Sequence, residues 1–464
     1  MQTVLRAGFC ALGSGLILML GACGGMGTSP AASAQHEWAW MGGSQNLNAT
    51  GSYGQMGIAS AGNTPGARNF AVAWVNSSGD PMLYGGLGLS TSAVTNDNGT
   101  LDDMWELDKG QWVWTGGHRQ AEEAPVFGKL GVASPANTPG AIFAPASWTD
   151  AQGNLWLFGG DIGHNALWKL SGGMWTWVAG PSTPLNPAVY GTIGVPSAQN
   201  VPGARVRTVT WVDASGNLWM YGGFGYGESI PGRQPSYGIL GDLWMYSPTS
   251  GMWAWMGGSG MASAPAVYGT QGTPSRTNYP GARSDAAAWT DAQGNFWLFG
   301  GYRTDSTGAV EYLNDLWEYS GGQWTWIGGS NLANQTGSFT AKGSAAATNI
   351  PGARYDAAYA KDAAGNFWLF GGLGYVADVG LGVNILCDLW EFSNGQWTFV
   401  SGPSTSQTCG SYGQAGVFAS TNLPTGRSGA ALWADSSGNL WLFGGIDSYI
   451  QGQNVYNDLW EFKP

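Results

Sequence analysis

Five arginines recur in one slot of the chain, Arg68, Arg205, Arg283, Arg354 and Arg427, each at the head of an apolar run. Guanidinium groups gathered by a repeat present fixed forks that suit a carboxylate or phosphate ligand. A second set, Asp103, Asp242, Asp315, Asp388 and Asp458, fills an equally regular slot further on, and both sets skip the same repeat, where Ile142 and Ala166 stand instead. Their joint loss favours structural Arg-Asp ion pairs, because a buried charge without a partner is costly and a paired one is tolerated. The turns built on Asp150, Asp213, Asp291, Asp362 and Asp435 each offer one carboxylate over five residues, too few for a calcium loop, and read as capped hairpin turns. His36, His118 and His164 lack zinc spacing, and no Gly-x-Ser-x-Gly elbow or Cys-x-x-Cys pair occurs. The sequence therefore predicts no metal and no cofactor. Loop carboxylates such as Glu228, Glu311 and Asp305 remain candidates for acid-base work. For binding, the loop tyrosines Tyr226, Tyr302, Tyr375 and Tyr449, with Arg233 and Arg303, are the expected contacts to a ligand.

A repeat must position these groups. Six segments end in an apolar run and a glycine pair, beginning at Gly85, Gly159, Gly222, Gly300, Gly371 and Gly444. A run such as DAAAWTDAQG precedes each, and runs such as DLWEY and QWTW follow across a variable connection. Alternating, aromatic-rich runs of about five residues bounded by Gly, Asn, Asp and Ser are strand signals. They give strands a, b, c and d in every repeat. Apolar residues on both faces of each four-stranded unit need cover on both sides, which radial stacking supplies. All 27 tryptophans fall in strand slots, so packing between units accounts for them better than ligand stacking does. The first run, WAW at Trp38 to Trp40, is a d strand with no a, b or c before it, and the final DLWEF is a c strand with no d after it. The expected fold is all-β: a six-bladed β-propeller with four antiparallel strands per blade, the last blade closed by the N-terminal strand.

The glycine pair after strand b, the aromatic residue in strand c and the Trp in strand d resemble the kelch repeat, from Trp38 to Pro464. Successive glycine pairs lie 63 to 78 residues apart, against about 50 in kelch units. The excess sits in connections, notably an insert between d and a, YGTQGTPSRTNYPGAR (Tyr268 to Arg283), with cousins in the other repeats. The resemblance implies a kelch-like propeller and fixes no activity, since such propellers include binding proteins, sialic acid epimerases and copper oxidases. His118 and His164 are too few ligands for the copper type.

Topology puts the d-to-a and b-to-c connections on one face, and these are long, as in FGYGESIPGRQPSYGILG (Phe224 to Gly241). The a-to-b and c-to-d connections on the other face are tight turns. Long, unequal loops on a rigid scaffold are where recognition sits. Cys387 opens a c strand and Cys409 lies in a d-to-a connection, so both fall on that face, and a disulfide between them is expected in an exported chain. Export is read from Arg6 followed by the apolar GLILMLGA, too short to span a bilayer. Residues 1–22 read as a signal peptide, and LGAC resembles a lipobox that would place a lipid on Cys23, with 23–37 as a tether and 38–464 as one propeller. Cleavage after Ala34 is the competing site and would release the protein. A net charge of -12 and a pI near 4.5 argue against nucleic acid or an anionic membrane surface as partner, which leaves the lipid anchor as the membrane contact. The expectation is a monomeric cell-envelope scaffold, with no catalytic motif in its sequence, that binds a glycan or protein through its loop face. The alternative is an epimerase- or lyase-like carbohydrate enzyme at the channel mouth, which two converging carboxylates from different blades would favour.

Overall fold

The structure, a computed structural model, describes residues 36–91, 98–161, 163–184, 186–229, 232, 234–376, 382–403, 409–447 and 454–464. The signal segment, Cys23, and the candidate binding residues Arg233 and Tyr449 lie outside the described residues. Among those described, every regular element is a strand and none is a helix. The four strands of repeat 1 are Val72–Val75, Pro81–Leu89, Asn98–Asp108 and Gln111–Gly116; of repeat 2, Ala146–Thr149, Leu155–Phe158, Leu167–Ser171 and Met174–Ala179; of repeat 3, Val209–Val212, Leu218–Tyr226, Tyr237–Ser247 and Met252–Ser259. Repeat 4 has Ala287–Thr290, Phe296–Phe299, Leu316–Ser320 and Gln323–Gly328, and repeat 5 has Ala358–Lys361, Phe367–Gly374, Asn384–Ser393 and Gln396–Ser401. Repeat 6 supplies Ala431–Ala434, Leu440–Phe443 and Leu459–Lys463, and its fourth strand is Glu37–Gly42 from the other end of the chain. There Trp38 lies opposite Phe462 and Trp40 opposite Trp460. All pairings between these strands are antiparallel, and each set forms its own sheet.

Strand periodicity explains why the sheets stack. Successive side chains of a strand point to opposite faces, so in repeat 4 Ala286 and Ala288 pack with repeat 3 while Ala287 and Trp289 pack with repeat 5. The same division gives a core between each consecutive pair of sheets: Tyr84 with Trp168, Trp148 with Trp244, Trp211 with Trp317, and Trp289 with Trp390. It continues with Phe370 and Trp460, and then with Trp433 and Trp105, which joins repeat 6 to repeat 1. The buried aromatics are the main apolar content of these interfaces.

The glycine pairs have a backbone reason. At Gly222 and Gly223 φ is 68° and 90°, a left-handed kink open to glycine, and a Cβ on Gly222 would sit 2.5 Å from the Arg283 carbonyl oxygen of the next repeat. That carbonyl accepts the Gly223 N–H at 3.0 Å. Gly86, Gly160, Gly301, Gly372 and Gly445 donate likewise to Ile142, Arg205, Arg354, Arg427 and Arg68, so each repeat is bonded to its successor and the sixth to the first.

Two expectations change. The b and c strands are longer than five residues in repeats 1, 3 and 5, because pairing resumes after a bulge at the glycine pair; Phe224 pairs with Ile239 and Tyr226 with Tyr237. The two ends of the expected loop from Phe224 to Gly241 are therefore paired strand. The d-to-a insert, expected among the recognition loops, instead runs along the exposed edge of strand d. Gly57, Gly131, Gly194, Gly272, Gly343 and Gly416 donate to carbonyls of those strands, and the Asn63, Asn137, Asn200, Asn278, Asn349 and Asn422 amides do the same. An otherwise bare sheet edge is thereby occupied.

Candidate functional site

The arginines and aspartates meet in pairs. Arg68 Nη1 lies 2.6 Å from Asp103, Arg205 2.6 Å from Asp242, Arg354 2.7 Å from Asp388 and Arg427 2.6 Å from Asp458, while Arg283 Nη2 lies 2.8 Å from Asp315. Each fork is bidentate and each Nη1 also donates to a carbonyl of the glycine pair, at Gly85, Gly222, Gly300, Gly371 or Gly444. The second carboxylate oxygen accepts a Trp Nε1–H and, in four repeats, the hydroxyl of the insert tyrosine: Tyr53, Tyr190, Tyr268 or Tyr412. The arginines and aspartates are buried, and of the guanidinium nitrogens only Arg283 Nε lacks a partner among the described residues, which leaves no guanidinium of this set facing a ligand. In repeat 2 the set is Ile142, Ala166 and Phe127, an apolar replacement of all three, with Phe127 packed on Trp168.

The position before the c-strand aspartate ties that strand to the d-to-a connection in several ways. Asn314 accepts the Ser330 N–H, Asn457 accepts the Ser44 N–H, and Asp102 holds His118 Nδ1 at 2.7 Å. In repeat 5 this position is Cys387, bonded to Cys409.

The turn aspartates are also consumed locally. Asp291 accepts the N–H groups of Gln293 and Asn295, and the side chains of Asn295 and Trp297. Of the loop carboxylates, Glu311 pairs with Arg303 at 2.7 Å across a two-stranded ribbon, and Asp305 closes its own turn through Thr307 and Ala309.

The distinctive geometry lies two residues beyond the arginine slot. Phe70, Ala144, Arg207, Asp285, Asp356 and Gly429 all have φ between 46° and 62°. Each donates its N–H to the carbonyl of the one before, at 2.7–3.2 Å, and Phe70 donates to Gly429, so the bonds run round a closed cycle of six residues. Left-handed backbone at five non-glycine residues is costly and persists only where surroundings over-determine it. Gly429 is required twice over, by its φ and because a Cβ would meet the Phe70 ring at 2.9 Å.

Three charged side chains converge on this cycle. Arg207 Nη1 lies 3.2 Å from Asp285 and 4.0 Å from Asp356, and its guanidinium stands 4.6 Å over the Phe70 ring. Their side chains are only 11%, 4% and 7% exposed. Burial, then the charge of Asp285, push the Asp356 carboxyl well above the carboxylate range despite Arg207. These residues line a cavity of about 320 Å³ with Ser147, Thr208 and Thr210, and a second of about 410 Å³ continues along the same a strands past Tyr359 to Lys361.

Beside the carboxyls stands a chain of tyrosines. Tyr302 and Tyr355 have ring centroids 4.9 Å apart, Tyr355 and Tyr312 5.4 Å, and Tyr312 and Tyr375 5.8 Å. Burial, and the charges of Asp285 and Asp356, raise the Tyr302 hydroxyl; burial and Asp356 raise that of Tyr355. Tyr302 and Tyr375 were expected from sequence, while Tyr312 and Tyr355 were not. Tyr226 stands apart, against Tyr237 at 4.8 Å.

Sequence reasoning also missed Arg207, Asp285 and Asp356. Aligning the repeats on the arginine slot would have exposed their shared position. Among the described residues no group of three or more His, Cys, Asp or Glu side chains is placed to hold a metal ion. No protein-family model matches the chain, and no curated protein is similar to it.

Proposed function

We propose that the chain is an exported, lipid-anchored, six-bladed kelch-like β-propeller that binds a glycan at the end of its axis where the six-residue cycle sits. The observation that carries the reading is the run of four partly exposed tyrosines reaching from Tyr375 to Tyr302, next to the polar cavity of Arg207, Asp285 and Asp356. Rigid amphipathic rings beside a few fixed polar groups suit a sugar, which needs flat apolar contact and directed hydrogen bonds. The cyclic backbone bonds and the shared sixth sheet support the propeller architecture. The rim contacts are Tyr302 and Tyr375, with Arg303 and Tyr226 as further candidates; Arg233 and Tyr449, also expected to contact the ligand, lie outside the described residues. A glycan array with the mature protein, repeated with Tyr312→Ala and Tyr355→Ala, tests this. Capture of a defined glycan, weakened at least about tenfold by either change, is expected; no glycan captured, or capture indifferent to both changes, defeats it.

The enzyme reading has one observation in its favour. Asp285 and Asp356 come from different repeats and share one arginine, the kind of convergence that acid-base chemistry uses. Turnover of aryl glycosides that disappears in Asp285→Asn would establish it over binding alone.

A further inference from the structure

The axial cluster is one positive charge short. Two carboxyls face a single guanidinium, and all three side chains are nearly out of water. Arg207 spends its short contact on Asp285, which also accepts the Ser284 hydroxyl at 2.9 Å. Asp356 is less well held: its hydrogen-bond partner is the Asp285 carboxyl itself, a contact that needs a proton between the two acids, and its one ion-pair contact is Arg207 at 4.0 Å. It lines the cavity, as does Thr208, whose buried hydroxyl is unbonded among the described residues. Buried polar groups are otherwise almost always paired. The strained backbone that holds these residues, with φ of 61°, 56° and 54° at Arg207, Asp285 and Asp356, marks the same place.

We infer that the axial cavity binds an ammonium group, carried by a small hydroxylated ligand such as an amino sugar, with Asp356 as its counter-charge and Thr208 as a neighbouring hydrogen-bonding group. A bound cation completes the pairing, Arg207 with Asp285 and ammonium with Asp356, so that no buried charge is left over. A cavity of about 320 Å³ is of small-ligand size. Its walls, Ala71, Ala73, Ala286 and Ala358 among them, leave room that larger residues would fill. Burial and the charge of Asp285 favour a proton on the Asp356 carboxyl while the cavity is empty, and a bound ammonium opposes it, so binding is linked to proton release. The charged and titratable groups that bear on this carboxyl are Arg207 and Asp285, with Tyr302 and Tyr355 beside them.

This deepens the glycan reading, resting on it for the sugar and not for the amine. Titration calorimetry on the mature protein near pH 6, in buffers of differing ionisation enthalpy, compares glucosamine, N-acetylglucosamine and glucose. Glucosamine should bind at least about tenfold more tightly than the two neutral sugars, with net release of protons. Asp356→Asn, an isostere of the protonated acid, should abolish both the preference and the proton release while keeping the near-ultraviolet circular dichroism of the native protein. If that variant does not fold, the wild-type comparison decides alone. Equal binding of the three sugars, binding without proton release, or no binding of glucosamine overturns the inference. Array capture of neutral glycans only would leave the glycan reading standing and remove this one; glucosamine binding indifferent to Tyr312→Ala and Tyr355→Ala, with no glycan captured, would do the reverse.

Discussion

At the residue scale, Arg283 and Asp315 show why five repeats carry a buried charge pair and one does without. Burial alone would raise the Asp315 carboxyl, but the charge and hydrogen bonds of Arg283, with Trp317 and Tyr268, outweigh it and hold the pKa below its usual value. Removing one partner should therefore be severe: Arg283→Met is expected to cost about 3–5 kcal/mol. Replacing the whole set by Arg283→Ile, Asp315→Ala and Tyr268→Phe copies Ile142, Ala166 and Phe127 and should recover most of that loss in urea unfolding. A triple variant as unstable as the single one would mean the pair is not interchangeable with apolar packing. Because the folded pKa is depressed, the pair's contribution is present above the unfolded value of about 3.9 and disappears as pH falls through the folded value, so the triple variant should lose less stability in acid. Asp356 has the opposite sign. Its pKa is raised on folding, so its folded form is most favoured below about pH 3.9 and loses ground as pH climbs towards the folded value. Asp356→Asn, which needs no proton, should accordingly be more stable than the parent at pH 7, by a margin that grows with pH. The contrast also explains what could be read from sequence. The pairs were legible because residue type recurs and is lost jointly. The axial cluster was not, because its slot is defined by backbone conformation and tolerates Phe70, Ala144 and Gly429 as readily as Arg207, Asp285 and Asp356.

At the scale of elements, the glycine pairs and alternating runs were enough to place strands a to d, since period-two patterning and turn chemistry agree there. The connections were misjudged because a polar, Gly-rich sequence gives no sign of whether its backbone pairs with anything. In the insert, one side chain makes the difference. Asn278 Nδ2 donates to Thr273 O at 2.9 Å and to Trp324 O at 3.0 Å, pinning the loop to itself and to strand d together. Asn278→Ala should cost about 1–3 kcal/mol, and hydrogen exchange should speed up first at the Gly272 and Ser275 amides, which bond to Trp326 and Trp324 carbonyls. A freed edge also invites pairing with other chains. Unchanged exchange at those two amides would show that the insert holds its place without the asparagine. Cys387 and Cys409 do in repeat 5, by a covalent bond, what Asn314 and Asn457 do in their repeats with two hydrogen bonds each.

On the scale of the whole molecule, the first strand joins the last in one sheet, beside the bonds that link repeat 6 to repeat 1, Gly445 N–H to Arg68 O and Phe70 N–H to Gly429 O. Glu37–Gly42 is the outer strand of the sheet whose other members lie near the C-terminus, and the repeat 6 insert bonds to it in turn, through Ala419 N–H and Asn422 Nδ2 to Trp38 O. Trp38 is 1% exposed and packs edge-on against Phe370 of repeat 5 as well as Trp460, so it joins two sheets at once. Pairing residues from opposite ends of the chain carries a loop-closure cost that grows only slowly with length, so one short strand is enough to offset it. Trp38→Ala should cost about 3–5 kcal/mol. Deleting residues 36–42 should do more: Leu459–Lys463 becomes an unpaired edge, the repeat 6 insert loses its acceptor, and the protein should self-associate and unfold in more than one step. A peptide spanning Glu37 to Ser44, added in excess, should restore the monomer and the single transition, because the gap it fills is defined by register at Trp38 and Trp40. Light scattering with urea unfolding reads both effects. A truncated chain that stays monomeric, keeps one transition and ignores the peptide would mean that the six sheets hold together without their shared strand.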